Sequence, residues 1–133
     1  DVSLLAFPAG KGGNYVVPGT VTIIERNAFY GCVNLTGITL PDGLEYIRPC
    51  AFKGCMNLTE IVIPRSVTSI NVDAFAYCSR LEKVTIMATT PPSLNVGESF
   101  RLDTDVLYVP QGSLSAYKAN ADWSAAFSDI REL

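Results

Sequence analysis

The sequence predicts a repeat solenoid, and three observations lead to this prediction. A segment that begins with an Ala-Phe pair at Ala28 recurs at Ala51 and again at Ala74, each time 23 residues later. No insertion or deletion separates these copies. The first two copies end in a short apolar run that is closed by proline, at Pro41 and Pro64. A fixed period of this size is typical of proteins whose repeats stack as successive coils.

Composition narrows the function classes. The 133 residues include 10 basic and 13 acidic side chains, which gives a formal net charge of −3. No basic run is present, which argues against nucleic acid or an anionic membrane as the partner. The apolar residues are scattered at short spacings, so we expect no segment that inserts into a bilayer. The chain begins without Met and without a signal peptide, and we therefore expect a processed piece of a longer product.

The 23-residue register predicts five short parallel strands. Each strand is rich in β-branched residues, which suit a pleated surface that is buried on one side. Proline follows most of them, and it ends a strand because it has no N–H to donate. The predicted strands span about 14–17, 37–40, 60–63, 83–86 and 106–109.

Within each strand, alternate side chains point to opposite faces. This alternation places Val62 and Thr85 on the solvent side. The residues expected in the core are Ile38 and Leu40, Ile61 and Ile63, and Val84 and Ile86.

A second set of apolar residues precedes each Ala-Phe pair and predicts a second extended segment on the opposite wall of each coil. The phenylalanines at Phe29, Phe52 and Phe75 are then expected to stack in the middle. Ordering a backbone costs about 1–2 kcal/mol per residue, more than one 23-residue coil recovers alone, so the coils must stack. The apolar pairs are Val21 and Ile24, Leu44 and Ile47, and Val67 and Ile70.

Three of the four cysteines, Cys32, Cys55 and Cys78, occupy the same position in successive copies. We interpret them as small buried apolar residues. Neighbouring Cα atoms in stacked coils lie about 5 Å apart, which also permits a Cys32–Cys55 disulfide. Cys50 occupies a different position, and both interpretations stay open.

The two ends and one internal segment depart from the repeat. Residues 1–13 predict an N-terminal strand and turn, and residues 14–110 a solenoid of about four to five coils. Phe100 lies two positions beyond the expected phenylalanine position. We therefore expect residues 87–105 to form a looped-out coil, and we expect Phe100→Ala to cost less stability than Phe52→Ala.

Residues 111–133 change character and predict a small helical cap. Ser113 is a favourable N-cap for a short helix that runs to Asn120. Trp123, Phe127 and Ile130 have the spacing of a second helical segment with one apolar face. A cap is required because the last coil of a solenoid otherwise exposes its core and its unpaired strand groups.

Catalytic and metal sites have little support. The sequence has no histidine, which excludes histidine-based triads and histidine zinc sites. Glu60, Glu82 and Asp105 are expected on the solvent side of successive strands, and a carboxylate pair about 5–9 Å apart would suit a glycoside hydrolase, a remote alternative. Asp103 and Asp105 supply too few oxygens for calcium. We expect no enzyme activity, no cofactor and no metal.

The outward side of the five strands is the candidate binding surface, and we name it the strand face. Threonine and valine in line with a terminal tyrosine form a flat, partly apolar strip of the kind on which solenoids bind partners. Strand propensity alone also explains these residue types. The candidate residues are Val16, Thr39, Glu60, Val62, Lys83, Thr85 and Tyr108.

These motifs resemble a known family. Leu35, Ile38 and Leu40 match the strand half of the leucine-rich repeat, Leu-x-x-Leu-x-Leu, but the usual Asn or Cys after it is absent. The pattern Pro-x-x-Leu-x-x-Ile followed by Ala-Phe-x-x-Cys is similar to the BspA-like (Treponema pallidum-type) repeats of bacterial surface proteins. The segment 107–113, followed by Tyr117, Trp123 and Phe127, resembles the ending of such proteins in Bacteroidetes.

The resemblance implies a right-handed leucine-rich repeat solenoid with short parallel strands and irregular or 3-10 connections. It also implies a non-catalytic protein, secreted or held on the cell surface, that adheres to host or bacterial surface proteins or to glycans. A structural arm that spaces another domain is the alternative. The resemblance assigns no role to any single residue.

Overall fold

The computed structural model describes residues 1–8, 10–95, 100 and 105–133. In these residues the chain winds into about five stacked coils, each with two short strands, and ends in two short helices and a last strand. The solenoid, the parallel strands and the small helical cap that the sequence predicts are therefore confirmed. The elements are β1 Ser3–Leu4, β2 Gly13–Val16, β3 Ile23–Ile24, β4 Leu35–Thr39, β5 Tyr46–Ile47, β6 Glu60–Ile63, β7 Ser69–Ile70, β8 Lys83–Ile86, β9 Ser93–Leu94, β10 Val106–Val109, α1 Leu114–Ala119, α2 Ala121–Ala126 and β11 Asp129–Glu132.

One wall of the solenoid is a five-stranded parallel sheet in the order β1-β3-β5-β7-β9. Its strands are only two residues long, and Ile24, Ile47 and Ile70 lie opposite one another and are completely buried. The second extended segment predicted from the sequence is therefore confirmed.

The opposite wall carries the strand face and is interrupted once. β6, β8, β10 and β11 form one parallel sheet, and β2 and β4 form another. β4 holds one more residue than β2 between their first two pairs, which breaks the regular register there. No ladder joins β4 to β6. Ile38, expected in the core, is only half-buried because it lies at this break.

The Ala-Phe turns form a third ladder between coils. The Phe29 N–H donates to the Ala51 carbonyl oxygen at 2.7 Å, and the Phe52 N–H donates to that of Ala74 at the same distance. The Phe7 N–H donates in the same way to Ala28. These hydrogen bonds satisfy backbone groups that the turn would otherwise bury unpaired.

One phenylalanine ring per coil stacks along the solenoid axis. The centroids of Phe29 and Phe52 are 4.9 Å apart with the rings 7° from parallel, and those of Phe52 and Phe75 are 5.0 Å apart at 3°. Phe7 extends the stack with its centroid 5.1 Å from Phe29. The 23-residue register does not reveal Phe7, because it precedes Phe29 by 22 residues.

The interpretation of Phe100 as part of a looped-out coil is wrong. Its ring stacks on Phe75 with centroids 4.9 Å apart and 11° between the planes, and it is 2% exposed. One of the two extra residues is absorbed before β9, since Leu94 pairs with Ile70, one residue beyond the regular offset. The parts of the predicted loop at 96–99 and 101–104 lie outside the described residues. Phe100 therefore belongs to the stack, and nothing in its packing supports a weaker contribution than that of Phe52.

The cap is fixed to the last coil by two buried polar side chains. The Tyr117 hydroxyl donates to the Ala88 carbonyl oxygen at 2.7 Å, and Trp123 Nε1 donates to that of Pro92 at 2.9 Å. The Asn120 side chain caps α2 by accepting from the N–H of Trp123 at 3.1 Å. Phe127 lies against Phe100, with centroids 4.9 Å apart, and so ends the aromatic stack.

Two details of the predicted cap differ from the structure. Ser113 precedes α1 as expected, but its side chain makes no capping hydrogen bond. Ile130 lies in β11, not in a helix, and pairs with Leu107 of β10. The parallel ladder with β10 explains the difference, since it satisfies backbone groups that the edge of the sheet would leave unpaired.

The buried interpretation of the cysteines is confirmed, and all four are free thiols. The Cys55 thiol donates to the Phe29 carbonyl oxygen at 3.1 Å, and the Cys78 thiol donates to that of Phe52 at 3.1 Å. Burial raises the pKa of the Cys32 thiol to about 11. The pKa of the Cys55 thiol is also raised, first by a hydrogen bond with Cys78 and then by burial.

These thiols predict a loss of stability in alkali. The unfolded chain releases the thiol protons near the ordinary pKa of 9.0, whereas the folded chain keeps them. The free energy of unfolding should therefore fall as pH rises from about 9 toward 11, because the folded state binds more protons in that window. Urea denaturation at a series of pH values measures it.

The matched variants are Cys55→Ala and Cys50→Ala. Removing the buried Cys55 thiol should make the alkaline decline shallower, and removing Cys50, outside the buried column, should leave its slope unchanged. A wild-type stability that stays constant across this pH range would contradict the assignment.

Candidate functional site

Most of the predicted strand-face residues do share one surface. Val62, Thr85 and Tyr108 are directly opposite one another on β6, β8 and β10, and Glu60 is opposite Lys83. Val62 is 53% exposed, and Glu60 and Lys83 are also exposed. Val16 and Thr39 form the same kind of pair on β2 and β4, and both are exposed.

Thr85 is the exception, since it is 8% exposed and not solvent-facing as expected. It lies between the larger side chains of Val62 and Tyr108 on the two neighbouring strands. Neighbouring strands are only about 4.8 Å apart, so these side chains cover a small residue between them. The predicted strip is therefore not a continuous row of exposed side chains.

At the β10 end of the strand face, the aromatic side chain of Tyr108 has a cationic residue on each neighbouring strand. Lys83 Nζ lies 5.0 Å from the centroid of the Tyr108 ring. Arg131 on β11 is opposite Tyr108 and is held by Asp129, with its guanidinium 2.7 Å from the carboxylate. A hydrogen bond with Asp129 raises the pKa of Arg131. Sequence reasoning missed Arg131 because it placed this segment in a helix.

A depression beside Val62 was also missed. A cavity of about 610 Å³ lies between β4 and β6, and a second of about 690 Å³, which reaches Pro91 and Pro92, shares part of its lining with the first. Met87, 41% exposed, lies between the two cavities, at the position where Pro41 and Pro64 stand in earlier coils. That replacement is the signal in the sequence that points to this site. Residues shared by both cavities are Asp42, Arg65 and Met87.

The break between β4 and β6 leaves some backbone groups of β6 outside any strand ladder. The carbonyl oxygens of Thr59 and Ile63 accept hydrogen bonds from the chain at β8. In a parallel strand the alternate residues present their N–H and C=O to the other side, so those of Glu60 and Val62 face β4, to which no ladder joins them. A third cavity of about 300 Å³ lies there.

The structure does not bring the three candidate carboxylates together on the surface. Glu60 and Glu82 are exposed, but Asp105 is 3% exposed and so does not lie on the solvent side as expected. Asp103, considered for calcium, lies outside the described residues. Within the described ranges, no group of three acidic or cysteine side chains is placed to hold a metal ion.

The family is decided by a match over most of the chain. The sequence profile described as "BspA type Leucine rich repeat region (6 copies)" matches residues 6–99. The chain belongs to the BspA-type leucine-rich repeat family. No curated protein sequence matches it.

Two solved structures are similar to this chain in fold. A leucine-rich cell surface protein from Faecalibacterium prausnitzii A2-165 is 22% identical, with a TM-score of 0.57. The pneumococcal vaccine antigen PcpA is 17% identical, with a TM-score of 0.59. The comparisons cover 96% and 98% of this chain but only 38% and 44% of those proteins. At these identities the likeness concerns the fold alone. Among the residues that the structure describes, none of the helices has the length and apolar character that a membrane span requires.

The difference in burial between Thr85 and Val62 predicts different losses of stability for two glutamate substitutions. Thr85→Glu would force a larger side chain into the covered position between Val62 and Tyr108 and should lower the free energy of unfolding by about 1–3 kcal/mol, the usual cost of overpacking. Val62→Glu places the charge in solvent and should cost less than about 1 kcal/mol. Urea denaturation of both variants measures this, and equal losses would show that Thr85 faces solvent after all.

Proposed function

We propose that this BspA-type segment is a non-catalytic binding module of a secreted or cell-surface bacterial protein, and that it adheres to a host or bacterial surface protein or glycan through its strand face. The observation that carries the proposal is the exposed apolar pair of Val62 and Met87 beside the depression between β4 and β6. Solenoids commonly bind partners on such extended faces, and exposed apolar groups rimmed by polar ones mark interaction sites.

Charged side chains surround the depression and would add polar contacts to the proposed binding site. Asp42 and Arg65 line both cavities, are exposed, and form no salt bridge with any other described residue. Lys83 and Arg131 lie further along the same face, beside Tyr108. Charged groups of this kind orient a partner and reject wrong ones. The proposed contact residues are therefore Val62 and Met87 as apolar anchors, with Asp42, Arg65 and Tyr108 around them.

A purely structural spacer is the second candidate. The continuous stack of rings from Phe7 to Phe127 favours it, because such a core makes a stiff arm whether or not a ligand binds. The cell-surface location is supported by the likeness to the Faecalibacterium protein, which is a leucine-rich cell surface protein. A carboxylate-based hydrolase is disfavoured because Asp105 is only 3% exposed and so does not share the surface with Glu60 and Glu82.

The test introduces charge at the centre of the strand face. Val62→Glu should abolish adhesion to whichever proteins in a panel of immobilised host matrix proteins bind the wild-type chain, because desolvating a new carboxylate against an apolar contact is costly. Its thermal melt should change little. Val2→Glu is the matched control, since Val2 is also about half exposed but lies beside β1 on the other sheet.

The two candidates give different results in this assay. Retained adhesion of Val62→Glu with an unchanged melt would remove the site from the strand face. If the wild-type chain binds no protein of the panel and no glycan on an array, the result would favour the spacer.

A further inference from the structure

Tyr77 stands at a backbone position that favours glycine. Its φ angle is +58°, in the left-handed region. The equivalent residues in the two preceding coils are Gly31 and Gly54, with φ of +67° and +77°. A side chain is strained in this conformation because its Cβ approaches the backbone, and glycine avoids the strain. The third coil therefore keeps a tyrosine where the turn itself calls for glycine.

Burial does not explain the tyrosine. Its side chain is 66% exposed, so little of the ring is buried in the fold. The neighbouring left-handed position, shared by Asn27, Cys50 and Asp73, includes asparagine and aspartate, which tolerate this conformation. Strain that folding does not require is a reason to look for a functional role.

Charged groups are held beside the Tyr77 ring. Lys53 Nζ lies 5.4 Å from the ring centroid and 3.2 Å from Asp73 Oδ2. The Lys53 and Asp73 side chains are 24% and 31% exposed, so a ligand can reach both. The result is an ion-paired ammonium donor and carboxylate acceptor beside an aromatic ring that has Lys53 over one face and is 66% exposed.

A second exposed tyrosine completes the group. Tyr30 is 55% exposed and occupies the same position as Lys53, one coil earlier. The spacing of stacked coils separates Tyr30 from the Tyr77 coil by about 10 Å, two strand spacings. We name this group, Tyr30, Lys53, Asp73 and Tyr77, the turn-face cluster.

We propose that the turn-face cluster is a carbohydrate site that binds a neutral pyranoside of about two sugar units. The C–H face of a pyranose packs on an aromatic ring, and neighbouring hydroxyls bind an ammonium donor and a carboxylate acceptor together. Lys53 and Asp73 neutralise each other, which favours an uncharged ligand over an anionic or cationic one. The site is separate from the strand face and does not depend on it.

The experiment titrates the whole chain with four neutral disaccharides, cellobiose, lactose, mannobiose and chitobiose, at millimolar concentrations. Amide signals in two-dimensional NMR spectra report binding residue by residue. We expect at least one disaccharide to shift the signals of Tyr77 and Lys53, and the responding sugar distinguishes galactose-ended from N-acetylglucosamine-ended sources. No shift at the cluster with any of the four would overturn the proposal.

Three variants separate binding from folding. Tyr77→Gly should weaken the responding disaccharide at least tenfold without lowering the melting temperature, because glycine relieves the strain. Cys50→Gly relieves the same kind of strain at the neighbouring position, keeps the cluster, and should bind as wild type does. Lys53→Met should also weaken binding, and it tests the site should Tyr77→Gly fold poorly. Wild-type affinity in Tyr77→Gly or in Lys53→Met would contradict the site.

Discussion

The stacking of one phenylalanine ring per coil is the contact on which the rest of the structure depends. The centroid distances between Phe29 and Phe52 and between Phe52 and Phe75 are 4.9 and 5.0 Å, close to the spacing of about 4.8 Å between hydrogen-bonded strands. The same coil rise therefore satisfies the rings, the two strand walls and the Ala-Phe hydrogen bonds at once. A change in any one spacing would disturb the others, which explains why Phe7 and Phe100, 22 and 25 residues from the next ring in the stack, still stack at 5.1 and 4.9 Å.

This constraint applies only to inward positions, and it leaves the outward ones free to carry function. The strand face has its depression at Val62 and Met87, where the ladder between β4 and β6 is missing. The turn face has Tyr77, a residue that the turn does not favour. Both features lie on a rigid stack, so their side chains are placed by the repeat and not by a mobile loop.

Most of the buried core was predictable from the sequence because the same pattern of apolar residues recurs in each repeat. Ile61, Ile63 and the three stacked cysteines are buried as the register requires. The failures lie where a contact comes from outside the repeat. Counting residues could not show how the chain absorbs the insertion before Phe100, and the spacing of Ile130 fits a helix as well as a strand. The burial of Thr85 depends on the size of its neighbours across the sheet, and the break at β4 depends on a register shift that no single strand reveals.

The most direct test of the aromatic stack is a comparison of two truncations by urea denaturation. Phe52 lies in the most regular coil and Phe100 beyond the insertion, yet both rings are buried and stacked at about the same distance. Phe52→Ala and Phe100→Ala should therefore each lower the free energy of unfolding by roughly 3–5 kcal/mol. A loss below about 1 kcal/mol for Phe100→Ala, with the full loss for Phe52→Ala, would show that the stack ends at Phe75 and would contradict a continuous core.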